Sequence, residues 1–462
     1  DQHALLAPIT KARWRLGRHA DVVPVLHEAY LVATTGEPGP VFVEIPVDLQ
    51  LMPGEAGERP AFAPAPAPRC TAPAGEIERA AGILRAARHP AIFCGWGAVD
   101  ATAELIAIAE LLGAPVSTTL QGLSAFPGNH RLHAGFALGP AAVPAVENAF
   151  RECDALLAVG TRFAEIPTGS YGWTPPADLV HVDINPRVFG ANYPAAAALE
   201  GDARAVLAAL RDALGSTASR ARADAVAAAI AKDKAAYRGE WLAHDPKGRV
   251  NPQRFFEALR ARLPDDGIVV ADDGNHTFLV AELMPIHAPR AYFSPSDFNS
   301  MGYCIPAAIG AKLARPDRAV VGIVGDGAAR MTGLEMATAV AQGAGVAWFV
   351  FNDGELAQIA QAQATPYNRK TCTVLPALDF EALARANGVG FIAMPDDAAV
   401  EGAMAEALDR AARGEPVLVD VHIDYSKRTR FTEGVIRTNL KRFGIADQAR
   451  LVGRALWRRL TG

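Results

Sequence analysis

The sequence predicts an α/β chain built on doubly wound parallel sheets. Three observations carry that prediction. Ala-rich helical stretches alternate with Val/Ile runs over most of the 462 residues, as they do where helices cover a sheet. Several apolar runs, including 155–160 and 346–351, are continuous instead of alternating, the mark of strands buried on both faces of a parallel sheet. Half of the residues are hydrophobic and 21% are charged, which fills cores and leaves too little charge for a disordered chain. At about 150 residues per domain the length suggests roughly three domains.

Composition also excludes function classes. The formal net charge of -5 argues against a nucleic-acid binder, which normally shows a basic domain. The five cysteines (Cys70, Cys94, Cys153, Cys304 and Cys372) form no Cys-x-x-Cys pair. That argues against a zinc ribbon or redox dithiol and fits a reducing, cytoplasmic compartment. No apolar run reaches the ~20 residues of a membrane helix. The first residues, Asp1-Gln2-His3, show neither a signal-peptide pattern nor an initial Met.

Taken in order, 1–57 reads as one helix (20–34) and one strand (41–45), too little for an independent core. It is expected to be the remainder of a domain whose beginning lies upstream. Residues 58–74 alternate Pro and Ala and read as a semi-rigid connector. From 75 to 212, helices at 77–88 and 101–112 alternate with strands at 90–95, 115–119, 155–160 and 179–183. Gly95-Trp96-Gly97 follows a strand but lacks the third glycine of a dinucleotide fingerprint, so it reads as a tight turn. Residues 213–250 read as a helical linker, and 251–425 as a further alternating unit. The tail, 426–462, has ten Lys/Arg against Glu433 and Asp447. Arg450, Arg454 and Arg458 share one helical face, opposite Val452, Leu456 and Leu460. This reads as an amphipathic helix packed on its own domain, in preference to contact with an acidic partner or a membrane surface.

The chemistry gathers in 251–425. Strands at 267–271, 319–324 and 346–351 run into Asp272-Asp273-Gly274-Asn275-His276, Gly325-Asp326-Gly327 and Asn352-Asp353-Gly354. A helix-sized piece, 333–342, separates the last two strands, so they form a right-handed βαβ unit. Asp326 and Asn352 therefore emerge at one carboxyl edge, where open α/β sheets bind ligands. A carboxylate, an amide oxygen and a turn carbonyl at Gly354 are hard ligands, suited to Mg²⁺ or Ca²⁺ and not to Zn²⁺. A helix start beyond Gly327 attracts an anion. These residues predict a metal–phosphate site.

Gly-Asp-Gly followed after about 24 residues by Asn-Asp-Gly resembles the signature of thiamine-diphosphate enzymes. The stretch from Met301-Gly302-Tyr303-Cys304 to Arg315-Pro316 resembles the diphosphate domain of acetolactate-synthase-like members. Gly39-Pro40-Val41 through Ile45-Pro46-Val47-Asp48 resembles the end of their pyrimidine domain, and 75–212, with Val159-Gly160-Thr161-Arg162-Phe163, their central domain. The resemblance implies a metal, Mg²⁺, on Asp326, Asn352 and the Gly354 carbonyl. It implies thiamine diphosphate contacts at Gly274, Asn275, His276, Gly302, Gly325, Gly327 and Ala328, with Met301 as an apolar wedge under the cofactor. It further implies decarboxylation of a 2-oxo acid, carboligation to a second carbonyl, and a homodimer or homotetramer whose site is shared between subunits. The family's activating glutamate lies early in the pyrimidine domain. No residue here, Glu28, Glu37 and Glu44 included, sits in the matching motif, so no catalytic residue is assigned and this stretch alone is expected to be inactive.

Two departures bear on substrate. Gln361 stands where biosynthetic acetohydroxyacid synthases carry Trp, and Ala164-Glu165-Ile166 replaces a run that helps hold FAD. The second argues against FAD, and the two together against branched-chain biosynthesis. The stretch 354–375, read as a polar loop with Glu355, Gln358, Gln361, Gln363 and Arg369, would border the substrate channel. Alternatives are a 2-oxo-acid decarboxylase or acyl-CoA-type lyase of the same superfamily, a non-catalytic cofactor-binding homologue, and a nucleotide-binding α/β protein using the same edge.

Overall fold

The computed structural model describes residues 1–57, 61–62, 70–215 and 219–461. Most of the Pro/Ala connector (58–60 and 63–69) and the side chains of Arg458 and Leu460 lie outside the described residues. The structure is α/β throughout, and all strand pairs within its sheets are parallel.

The first segment pairs β1 (Arg13–Arg15) with β2 (Phe42–Glu44), joined by the helix Val22–Thr34. β1 was not expected. Three residues, two of them Arg, carry no apolar run to announce a strand.

The second unit has β3 (Pro90–Cys94), β4 (Val116–Thr118), β5 (His133–Phe136), β6 (Ala155–Val159), β7 (Asp178–Asp183) and β8 (Ala197–Glu200). They lie in the order β5-β4-β3-β6-β7-β8. Strand direction of growth reverses between β3 and β6, the switch point of a doubly wound sheet. Gly95-Trp96-Gly97 sits there as a tight turn: a Cβ on Gly97 would lie 2.8 Å from the Gly160 Cα. β5 and β8 escaped sequence reading because each is short and lies at a sheet edge.

The third unit has β9 (Ile268–Ala271), β10 (Tyr292–Phe293), β11 (Val320–Gly325), β12 (Ala347–Phe351), β13 (Gly390–Met394) and β14 (Val417–Val421), ordered β10-β9-β11-β12-β14-β13. β9, β12 and the first five residues of β11 are buried on both faces, as the continuous apolar runs required. Gly322 in β11 is demanded by packing, since a Cβ there would meet Trp348 Cδ1 at 2.5 Å and Cys304 Sγ at 2.9 Å.

Within 213–250 the helix Arg220–Leu242 buries Ile230, Tyr237 and Trp241 in the main core, so this segment fastens the two sheet units together. Two connecting segments differ from expectation. The crossover from β11 to β12 starts a helix at Asp326 itself (Asp326–Thr332), then continues through a 3-10 turn into Met336–Gln342. Residues 354–375 are not a loop: Ala357–Tyr367 is helical, because its Ala and Gln residues are good helix formers. In the tail, the helix Arg430–Arg442 packs on its own chain through Phe431, stacked on Phe278 at 3.8 Å between centroids, but the helix Ile445–Thr461, expected to pack its apolar face, leaves Val452 and Leu456 exposed. No helix among the described residues is long and apolar enough to cross a membrane.

Candidate active site

The carboxyl ends of β9, β11 and β12 converge on one cleft of about 530 Å³. At the end of β9 the chain turns through Gly274, whose φ of +152° excludes most side chains. A Cβ there would also strike the His276 ring at 2.7 Å. The turn hands over to the helix Asn275–Leu283, with Asn275 and His276 buried in its first turn.

This turn is tied to the segment carrying Met301 by a residue given no role by sequence, Asp272. Its fully buried carboxylate accepts from the amides of Gly302 (3.0 Å), Cys304 (2.7 Å) and Asp273 (2.9 Å). Gly302 adopts φ +85° to make this approach. Met301 is thereby held over Gly327, where a Cβ would lie 3.2 Å from the Met301 Cε and 2.6 Å from Leu356 Cδ2. Glycine at 327 keeps that floor open. Gly325 does the same beside His276, whose Cε1 a Cβ would approach to 3.1 Å.

Asp326 is 2% exposed. Its carboxylate accepts from the Gly327 amide (2.8 Å) and from the Gly354 amide (3.1 Å). The turn after β11 is thus bonded directly to the turn after β12, the juxtaposition that the βαβ topology predicts. Asn352 donates its side-chain amide to Asp420 Oδ1 on β14 (3.0 Å), which leaves the amide oxygen as the end available to another partner. Asp353 lines the cleft, whereas Asn352 and Gly354 on either side of it do not.

The electrostatics are those of an anion-rich pocket. Burial pushes the Asp326 and Asp273 carboxyls up to about 6, the latter helped by Asp272. Burial and then Asp326 push Asp353 up to about 7. Burial lowers His276 to about 3, so its ring is neutral at neutral pH. Asn275 Oδ1, His276 Nε2 and Asp353 Oδ1 are buried without hydrogen-bond partners among the described residues. Such groups are costly unless a ligand, ion or water meets them. Oxygen donors crowded in a half-apolar cleft, with unsatisfied donor and acceptor atoms on its walls, fit a divalent cation with a phosphorylated ligand.

The cleft therefore collects Gly274, Asn275, His276, Met301, Gly325, Asp326, Gly327 and Ala328 on its lining. Gly302 lies behind Met301, bonded to Asp272. One detail departs from expectation: the Gly327 amide, expected to face an anion, is engaged by its neighbour Asp326. The residues missed were Asp272, Asp273, Asp353, Leu356 and Tyr425. The carboxylate doublet at the end of a strand was the available signal for the first two. Leu356 and Tyr425 carried none, because only tertiary packing brings them here.

Comparisons with known proteins agree on what this chain is similar to. The central domain of thiamine pyrophosphate enzymes matches residues 77–210, and their C-terminal TPP binding domain matches 272–421. The acetolactate synthase large subunit of Corynebacterium glutamicum is 32% identical over 91% of this chain and 68% of its own length. The probable acetolactate synthase large subunit of Methanocaldococcus jannaschii is 31% identical over 92% of this chain and 73% of its own. For the acetolactate synthase isozyme 3 large subunit of Escherichia coli the figures are 30%, 92% and 76%.

Proposed function

From the premise that this chain belongs to the thiamine pyrophosphate enzymes, in the family of the acetolactate synthase large subunits, we propose that it is a carbon–carbon lyase/ligase acting on a 2-oxo acid. In this reading it takes a pyruvate-type donor and ligates it to a carbonyl acceptor. When bound, thiamine diphosphate supplies the carbanion chemistry.

The chain's own residues bind and orient. Asp326, the Asn352 amide oxygen and the Gly354 carbonyl would hold Mg²⁺, being hard oxygen donors of the kind that ion takes. Gly274, Asn275 and His276 meet the diphosphate from the β9 side; Gly302, Gly325, Gly327 and Ala328 let the backbone approach it closely. His276, neutral by burial, offers a hydrogen bond without a charge. Met301 acts as the apolar wedge. The observation that carries this assignment is the set of buried, unpartnered polar atoms at both ends of the cleft, Asn275 Oδ1 and His276 Nε2 after β9 and Asp353 Oδ1 after β12.

The working enzyme is proposed to be a cytoplasmic homodimer or homotetramer; the relatives' description as large subunits supports an assembly of subunits and goes no further. No flavin is assigned. The second cleft, near 1460 Å³ at the β3/β6 switch point, has Arg162 paired with Asp297 across it. A simple decarboxylase is the second reading, favoured by Gln361, whose amide donates to the Tyr425 carbonyl at 3.1 Å in place of a bulky aromatic. Product analysis with pyruvate, thiamine diphosphate and Mg²⁺, on protein that also carries the family's pyrimidine-domain glutamate, separates them. Acetolactate supports the ligase, and acetaldehyde alone supports the decarboxylase.

A further inference from the structure

Asp420 is the one charged residue of β14, whose other four side chains are apolar and buried. β14 lies beside β12, with Asp420 in register with Val350. The two-residue period of a strand puts Val350 and Asn352 on one face, so Asp420 and Asn352 are diagonal neighbours across the strand pair.

The backbone of Asn352 is fixed on both sides. Its amide donates to the Val421 carbonyl at 2.8 Å, which carries the ladder one residue past β12. Its carbonyl accepts from Arg249 Nη1 at 3.3 Å. What remains to be set is which way round the side-chain amide sits. Its two ends are nearly the same size, yet only the oxygen can ligate a cation, because the NH₂ end presents two donors.

Asp420 sets that orientation. A carboxylate only accepts, and Asp420 Oδ1 takes the Asn352 Nδ2 at 3.0 Å. Turned over, the amide would press its oxygen onto that carboxylate, two acceptors at hydrogen-bond distance. As it stands, the Asn352 Oδ1 accepts no hydrogen bond among the described residues. Asp420 has no Lys or Arg partner among them either, and its side chain is 16% exposed. Its second oxygen lies 3.6 Å from Nε2 of the exposed His422 ring, so the bond from Asn352 is the closer of its two polar side-chain contacts.

We propose that Asp420 is a positioning residue for the divalent ion: it holds the Asn352 amide with its oxygen toward the metal and its NH₂ away from it. The inference rests on the reading of Asp326, Asn352 and Gly354 as the ion's ligands, and adds the outer partner that orients one of them. Losing such a partner typically costs about 10–100-fold in metal affinity.

Calorimetric titration of Mg²⁺ into the full chain with thiamine diphosphate tests it through a double-mutant cycle. Asp420→Leu should weaken Mg²⁺ by about 10-fold or more. An Asn352→Asp background has two equivalent side-chain oxygens and no orientation to lose. There Asp420→Leu should weaken Mg²⁺ by no more than about threefold. A merely structural role would cost the same in both backgrounds, so equal losses, or no loss in the native background, overturn the proposal. The near-isosteric Asp420→Asn, which can meet either end of the amide, should show the same contrast at about twofold or more. The cycle is thus decided even if the leucine variant fails to fold. If the unsubstituted chain takes up no Mg²⁺ with thiamine diphosphate, the ligand assignment falls and this inference with it. If it does bind and the contrast is absent, the positioning role alone is overturned.

Discussion

Asp353 carries a cost that the cofactor-free protein bears continuously at neutral pH. Its carboxyl titrates near 7 in the fold, raised by burial and by Asp326, against an unfolded value near 4. A carboxyl with a raised folded value destabilises the fold where it is ionised, above about pH 7. The cost is relieved as pH falls through 7 towards 4, because the native state then binds the extra proton. Asp353→Asn should therefore stabilise the cofactor-free chain by roughly 1–3 kcal/mol at pH 8. The gain should shrink towards zero at pH 4, as read from urea midpoints at the two values. A gain that is the same at both pH values would contradict the assigned cause. Residue by residue, the two turns proposed to hold the metal could be placed at one sheet edge because Gly-Asp-Gly and Asn-Asp-Gly each follow a strand in a βαβ unit. Asp272 was not, because its role is to accept three backbone amides, two of them some thirty residues away, and nothing local marks such a partner.

At the scale of elements, that same carboxylate joins the β9 turn to the Met301 segment. Asp272→Ala leaves the Gly302, Cys304 and Asp273 amides without their acceptor. The expected loss is about 3 kcal/mol or more in urea unfolding. Thiamine diphosphate affinity should fall as well, although Asp272 does not line the cleft. Unchanged affinity would mean that Met301 is positioned by other contacts. The helix Arg430–Arg442 offers a second case. It lies so close to the 3-10 turn at Gly139–Ala141 that a Cβ on Gly434 would sit 2.1 Å from the Pro140 carbonyl oxygen. Gly434→Ala should lift this helix and speed tryptic cleavage at its basic residues by roughly tenfold through local opening. Long apolar strands and long Ala-rich helices were readable in sequence. Short edge strands such as β5, and the Gln-rich helix Ala357–Tyr367, were not, since neither has an apolar period strong enough to outweigh its polar residues.

Across the whole molecule, the two alternating α/β units were legible through seven of their twelve strands, and their junction was not. Contacts such as Gln121 Nε2 with Asp297 Oδ1 at 2.6 Å, Arg290 with Asp100 at 2.7 Å and Tyr237 with Glu282 at 2.6 Å knit them together. Each joins residues too far apart in sequence for any spacing rule to pair them. The fold class followed from periodicity, and the cofactor edge from topology, because both are properties of a parallel sheet and not of individual side chains. The account rests on that edge accepting a diphosphate through a divalent ion. Calorimetric titration of the full chain with thiamine diphosphate, run with Mg²⁺, with EDTA and against Mg-ATP, tests it most directly. The account predicts saturable binding of thiamine diphosphate that requires Mg²⁺ and is lost in Asp326→Ala. Preference for Mg-ATP, or thiamine diphosphate binding indifferent to both EDTA and Asp326→Ala, would contradict it.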